Sequence, residues 1–185
     1  SATESNAPVR WKSLSGVGLA LLLLYGVINF AAAIAVPWML EANGGQGGGS
    51  GVVIIGRPQE EFLLGTTYAQ LHTDNPKLDK LLVDSMLGMC SMMMAMAIAV
   101  LGITWFAARR GARWAPWVLL VSGVIWVPYY FVIASDMSAL GAPDATMAAG
   151  MVALFSIPAV LGAVLIEETA YDQVAAKKGE NNALF

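Results

Sequence analysis

Ionisable side chains are almost missing from the longest stretches of this sequence. Four apolar runs, Ser13–Leu40, Leu81–Ala108, Trp114–Ser135 and Ala145–Ile166, together hold one acidic or basic residue, Asp84. The chain has one cysteine, Cys90, and one histidine, His72. Each shortage removes a class of function. A single cysteine allows no intramolecular disulfide and no paired-thiol redox centre, which excludes quinone-linked thiol oxidation of the four-helix type and claudin-like loops. Without a histidine in any run, bis-histidine haem and ordinary histidine-ligated chlorophyll lack their ligands. No glutamate or lysine lies in a run, so the carboxylate of a small proton-coupled multidrug exporter is missing. No Ser/His or Asp/His constellation in the runs supplies a base for intramembrane hydrolysis. With a net charge of −3 and no basic motif in a loop, the chain also has no surface suited to phosphate backbones, and no nucleic-acid partner is expected.

What remains is hydrophobic. Of the 185 residues, 57% are hydrophobic and 12% charged, the latter well below the roughly 25% of soluble domains. A hydrocarbon layer needs about 20 apolar residues per helix, and every run reaches that length. The expected fold is therefore an all-α membrane protein, a single domain over residues 1–185 built as a four-transmembrane-helix bundle. A signal-peptide core is only about 7–15 residues long, so the first run reads as a retained span. The opening Ser1-Ala2-Thr3 lacks a methionine, which fits initiator removal or cleavage of an organellar transit peptide.

Charges and aromatics give an orientation. Arg10, Lys12, Arg109, Arg110, Arg113, Lys177 and Lys178, seven of the ten cations, fall on one side, against Arg57, Lys77 and Lys80 on the other. By the positive-inside rule both termini face the cytoplasm of a bacterium, whose plasma membrane is the expected location, or the matrix or stroma of an organelle. Trp11 and Trp38 stand about 40 Å apart on a helix, as two interfacial anchors would. Trp114 and Trp117 lie at one end of the third run and Trp126, Tyr129 and Tyr130 towards the other, as an aromatic belt requires. Asn75-Pro76 should start the second helix, which should run to Arg109 or Arg110 at a length of roughly 50 Å. Pro143-Asp144 should start the fourth, which can continue past Glu167 to Lys178 and stop at Gly179.

Residues 41–74 form the expected extracytoplasmic loop. Asn43 to Gly51 reads NGGQGGGSG, a flexible Gly-rich segment that resembles an engineered linker as much as a natural loop. Val52-Val53-Ile54-Ile55 reads as a short strand or a lipid- or partner-facing clasp. From Pro58-Gln59-Glu60-Glu61 through Phe62, Leu63, Tyr68 and Leu71 a short interfacial helix is expected. Phosphate binding by the glycines lacks the Gly-Lys-Ser/Thr ending. His72 has Asp74 two residues away, but a metal site needs further ligands, and a solvated loop histidine is the preferred reading.

Within the spans a few residues stand out. Met86, Met89, Cys90 and Met93 share a helical face that could hold Cu(I), but flexible methionines more often fill irregular helix contacts, and no cofactor or metal is expected. Gly88, Ser91, Ala95, Ala99 and Gly102 form a stripe of small residues at spacings of 3 and 4, a candidate helix-packing surface. Asp84, one turn earlier on that face, should point into the bundle or at a neighbour, and reads as a helix-end residue, hydrated or bonded to the tyrosines of the third run, in preference to a proton-handling carboxylate. Tyr25 and Asn29, four residues apart, are candidate intramembrane polar residues, either bonding across helices or lining a ligand pocket. Pro128 and Pro158 should interrupt the third and fourth spans.

The stretch Phe62–Trp117, with Gly65-Thr66-Thr67-Tyr68, Asn75-Pro76 and Arg109-Arg110-Gly111-Ala112-Arg113-Trp114-Ala115, resembles uncharacterised four-span membrane proteins of bacterial type. The resemblance covers about a third of the chain and implies the four-span architecture only. The functional expectation is a non-catalytic membrane subunit that packs against other integral membrane subunits or itself, among membrane lipids. The alternative is a bundle that binds or transports a lipid, sterol or quinone, with Tyr25, Asn29 and Asp84 facing a cavity. An enzyme using Asp84, His72 or Asp136 at the interface ranks last, because no motif spacing ties these residues together.

Overall fold

The computed structural model describes residues 13–42 and 54–167. Arg10, Trp11, Lys12, the Gly-rich segment, Val52, Val53 and the extension towards Lys178 and Gly179 lie outside the described residues. Helix accounts for 87% of the structure, and among the described residues there is no strand. Four helical stretches, Leu14–Met39, Pro76–Arg110, Trp114–Ala139 and Ala145–Glu167, are long and apolar enough to cross a membrane. Only 17–33% of the most apolar window of each is buried. Most of these leucines, valines and methionines are therefore at least partly open, an arrangement that water would oppose and hydrocarbon accepts.

The helices are α1 (Leu14–Ala42), α2 (Arg57–Leu64), α3 (Tyr68–Asp74), α4 (Pro76–Phe106), α5 (Trp114–Val124), α6 (Val127–Ala139), α7 (Ala145–Ala153) and α8 (residues 157–167). Their ends follow local chemistry. Asn75 caps α4 by accepting from the Leu78 amide at 3.2 Å, and Pro76 fills a first-turn position where no amide is needed. A short 3-10 turn, Ala108–Arg110, follows α4, and Gly111 (φ 79°) closes it in the left-handed conformation. There the Ala112 and Gly111 amides bond back to the carbonyls of Ala107 and Ala108, a Schellman closure. Gly141 (φ 89°) ends α6 in the same way, with the Ala142 amide on Met137 and its own on Ser138.

Pro128 and Pro158 act where they stand. Pro128 removes the amide that would bond Val124, and the helix is interrupted between α5 and α6 at residues 125–126. Pro158 does the same one turn beyond Leu154, and the 3-10 turn Leu154–Ser156 separates α7 from α8.

The loop between α1 and α4 differs from the expected single helix. Gly65 (φ 65°) stops α2, and Thr67 starts α3 by accepting from the Gln70 amide, so two short helices replace one. A left-handed glycine cannot be continued as a helix, and a threonine two residues later offers a new cap. Ile54 and Ile55, the described half of the β-branched run, form a bend.

Two compact units divide the described chain. The first comprises residues 13–27, 99–125 and 156–167. Glycine lets backbones meet in it: a Cβ on Gly18 would lie 2.6 Å from the Gly162 carbonyl oxygen, one on Gly26 2.7 Å from Leu101, and one on Gly123 2.5 Å from Ala159. Leu19, Leu22, Leu119 and Thr104 are fully buried there. The second unit comprises residues 28–42, 54–98 and 126–155, with α6 packed along α7. It has two apolar clusters: Tyr68, Leu71, Val83, Met86 and Cys90 form one, and Ile55 with Ala134, Ala142, Ala145 and Ala149 forms the other.

Candidate functional site

Helix α4 has two faces with the same 3-and-4 spacing and opposite environments. Val83, Met86, Cys90, Ala97, Val100 and Thr104 are buried. Gly88, Ser91, Ala95 and Ala99 are exposed, and Gly102 is half-buried. A Cβ added at Gly88 or Gly102 would meet nothing within 4 Å, whereas those at Gly18 and Gly162 would collide with backbone. The small-residue stripe thus lies open while a different face of α4 packs the protein. Ser91 adds no free donor to this surface, because its hydroxyl bonds the Gly88 carbonyl at 2.7 Å.

Asp84 lies on the same open face. Its carboxylate takes the Lys80 ammonium at 2.7 Å, and both side chains are more than half exposed. Such an i,i+4 pair holds the helix start by a few tenths of a kcal/mol, roughly 0.3–0.5, and does not line an interior cavity. Tyr25 is buried in the first unit, and Asn29 is half-buried in the second. Both take part in interactions. Of the sulfur residues, Met86 and Cys90 point into the Tyr68 cluster while Met89 is exposed. Among the described residues no three His, Cys, Asp or Glu side chains are grouped as a metal site.

The densest polar network sits in residues 54–79, and sequence reasoning missed it. Glu60, in the first turn of α2, is buried, and its carboxylate accepts from the Ile54 amide, from the Ile55 amide at 3.0 Å and from the Tyr68 hydroxyl. Three donors on one carboxylate offset the cost of taking its charge out of water. Burial first, and then the Glu60 carboxylate, push the Tyr68 phenol far above its ordinary range, so it remains a donor. Beside it Glu61 accepts from the Tyr68 amide at 3.1 Å and from Arg57 at 2.9 Å. Gln59, also buried, donates to the Pro143 carbonyl at 2.9 Å, and the Phe62 ring lies beside Gly141. These bonds make residues 54–74 a cap fastened to the α6–α7 turn. Its sequence signal is thin: two adjacent glutamates with a tyrosine seven and eight residues on.

His72 pairs with Asp79 instead of its near neighbour Asp74, which is exposed. The Nδ1···Oδ2 distance is 2.7 Å, the imidazole is 35% exposed and the carboxylate 3%. Asp79 Oδ1 is buried and has no hydrogen-bond partner among the described residues. The two positions are seven apart and bridge the last turn of α3 and the first turn of α4. A carboxylate holding one nitrogen of an imidazole fixes its tautomer and orientation. The pair clasps the end of α3 to the start of α4.

No protein-family model matches the chain, and no curated protein or solved structure shows significant similarity to it.

Proposed function

We propose that this chain is a non-catalytic integral membrane subunit that packs through the open face of α4 against another transmembrane helix, from a partner subunit or a second copy. One observation carries the reading. Among the described residues nothing packs on Gly88, Ser91, Ala95 and Ala99, which are exposed, and a Cβ at Gly88 or Gly102 would meet no neighbour. In lipid, helices associate where small residues let backbones approach, since apolar side chains alone gain nothing over contact with lipid tails. The cap supports a scaffold role, because its bonds fasten the connecting segment to the start of α4 and to the α6–α7 turn. The excess of cations on the segments before α1 and between α4 and α5 supports an orientation with both termini in the cytoplasm of a bacterium, or the matrix or stroma of an organelle, and the cap at the opposite surface as an interfacial element.

Cysteine scanning in native membranes tests the proposal. With Cys90 replaced by serine, single cysteines at Ser91, Ala95 and Ala99 should cross-link to another chain, while cysteines at Val83 and Ala97 should not. A tagged protein that runs as a lone monomer in every mild detergent, with no cross-link at any stripe position, would sink it.

A further inference from the structure

The end of α4 carries a second surface, independent of the small-residue stripe. Trp105 and Arg109, and Phe106 and Arg110, are two i,i+4 pairs side by side. The Arg109 guanidinium lies 4.4 Å from the centre of the Trp105 ring, and that of Arg110 lies 6.0 Å from the Phe106 ring. These four side chains line an open cleft of about 210 Å³. Stacking on an aromatic face holds a guanidinium in place while leaving its in-plane N–H donors free. Among the described residues neither arginine joins an ion pair, and the sequence contains no acid between Asp84 and Asp136. Among the described residues the positive charge here has no acidic partner.

The backbone beneath opposes an anion less than a bare helix end would. A helix C-terminus ordinarily presents bare carbonyls that repel negative charge. Here those of Ala107 and Ala108 are taken by the amides of Ala112 and Gly111. Trp105 and Phe106 are exposed at the end of a span long and apolar enough to cross a membrane, where aromatic rings meet the headgroup layer. The cleft thus combines an apolar rim for acyl chains with two planar forks that match a phosphate.

We propose that Trp105, Phe106, Arg109 and Arg110 form a binding site for the phosphate-bearing headgroup of an anionic phospholipid. The rings receive the upper acyl and glycerol portion, and the two guanidiniums hold the phosphodiester. A free phosphate offers the same anion without the apolar part.

Native mass spectrometry of the delipidated full chain in mild detergent, titrated with phosphatidylglycerol or phosphatidylcholine, decides the matter. The wild type should bind phosphatidylglycerol about 30-fold more tightly, the worth of two arginines at a membrane surface. Arg109→Gln with Arg110→Gln should abolish the preference with helical circular dichroism unchanged, and either alone should weaken it, while Arg113→Gln, which removes one charge outside the cleft as each single variant does inside it, should retain it. Trp105→Ala should weaken binding of both lipids. Equal binding of the two lipids by the wild type, an undiminished preference in the double variant, or a loss in Arg113→Gln equal to that in either single variant overturns the site. Displacement by inorganic phosphate at the concentration of the lipid overturns the lipid assignment.

Discussion

His72 on α3 and Asp79 on α4 are joined at 2.7 Å across a single intervening residue between the two helices, Asn75. The bond ties the cap to the start of the second span. Its carboxylate side is enclosed and has one oxygen without a partner among the described residues.

Loss of the imidazole should therefore be felt at Asp79. His72→Ala leaves a buried carboxylate with no side-chain partner and should destabilise the protein by about 1–3 kcal/mol, towards the lower end because the imidazole is partly solvated. Asp79→Asn removes the charge, retains an acceptor and should cost less. Thermal unfolding in micelles ranks the two, and an unperturbed His72→Ala protein would mean that the clasp adds nothing.

At the centre of the cap, Tyr68→Phe deletes one of three donors to Glu60 and should cost about 1–2 kcal/mol. Glu60→Gln can keep its oxygen on the Ile54 and Ile55 amides and set its NH2 against the Tyr68 hydroxyl, so it loses the charge that strengthens all three bonds and should cost a similar amount. Hydrogen exchange reads both directly: the amides of Ile54, Ile55 and Tyr68 should lose protection while those of α8 retain theirs.

Glu61 titrates below the ordinary glutamate range, chiefly because it accepts the Tyr68 amide and next because it accepts Arg57. A carboxyl group whose folded value is depressed stabilises the fold above its unfolded value, about 4.3, and that contribution fades as pH falls through the lower folded value. Carboxyl NMR in micelles should find the Glu61 midpoint below that of a free glutamate. Arg57→Ala should raise it only part of the way, since the Tyr68 amide remains. A midpoint in the wild type at or above the free value contradicts the geometry.

Two glycines on different helices should respond in opposite ways. An alanine at Gly162 drives its Cβ to 2.7 Å from both the Gly18 carbonyl oxygen and Leu22, and should cost about 1–3 kcal/mol through overpacking. An alanine at Gly88 meets nothing and replaces a poor helix former, so stability should hold or rise by up to about 1 kcal/mol. Gly88→Leu should likewise fold yet lose cross-linking through Ser91→Cys. A leucine variant that cross-links as well as wild type argues that the face binds no helix.

The spans and their ends were legible because their determinants are local. Asn75-Pro76 caps α4 by contacts within one turn, and Pro128 and Pro158 break their helices by removing amides four residues from their partners. The division of the cap into α2 and α3 was also present in Gly65-Thr66-Thr67, a left-handed stop followed by a cap. The network around Glu60 and Gln59 was not. Nothing in two adjacent polar residues says that they turn inward, and the partner of Gln59 lies 84 residues away. The stripe on α4 was visible as a spacing, but Val83, Met86 and Cys90 repeat the same spacing, so only packing could show which face was taken.

The bond from Gln59 to Pro143 also sets an order of assembly. Glu60, Ile54, Ile55 and Tyr68 are close in sequence, and their contacts can form once the first two spans are inserted. The acceptor for Gln59 is synthesised 84 residues later, after the third span has been threaded. Until then its amide must remain in water, and the half-built cap stays a target for surface proteases. Truncated chains that stop before Pro143 should be cut in α2, and chains that include it should not. Completion of the last hairpin is thus the event that seals a segment made long before it.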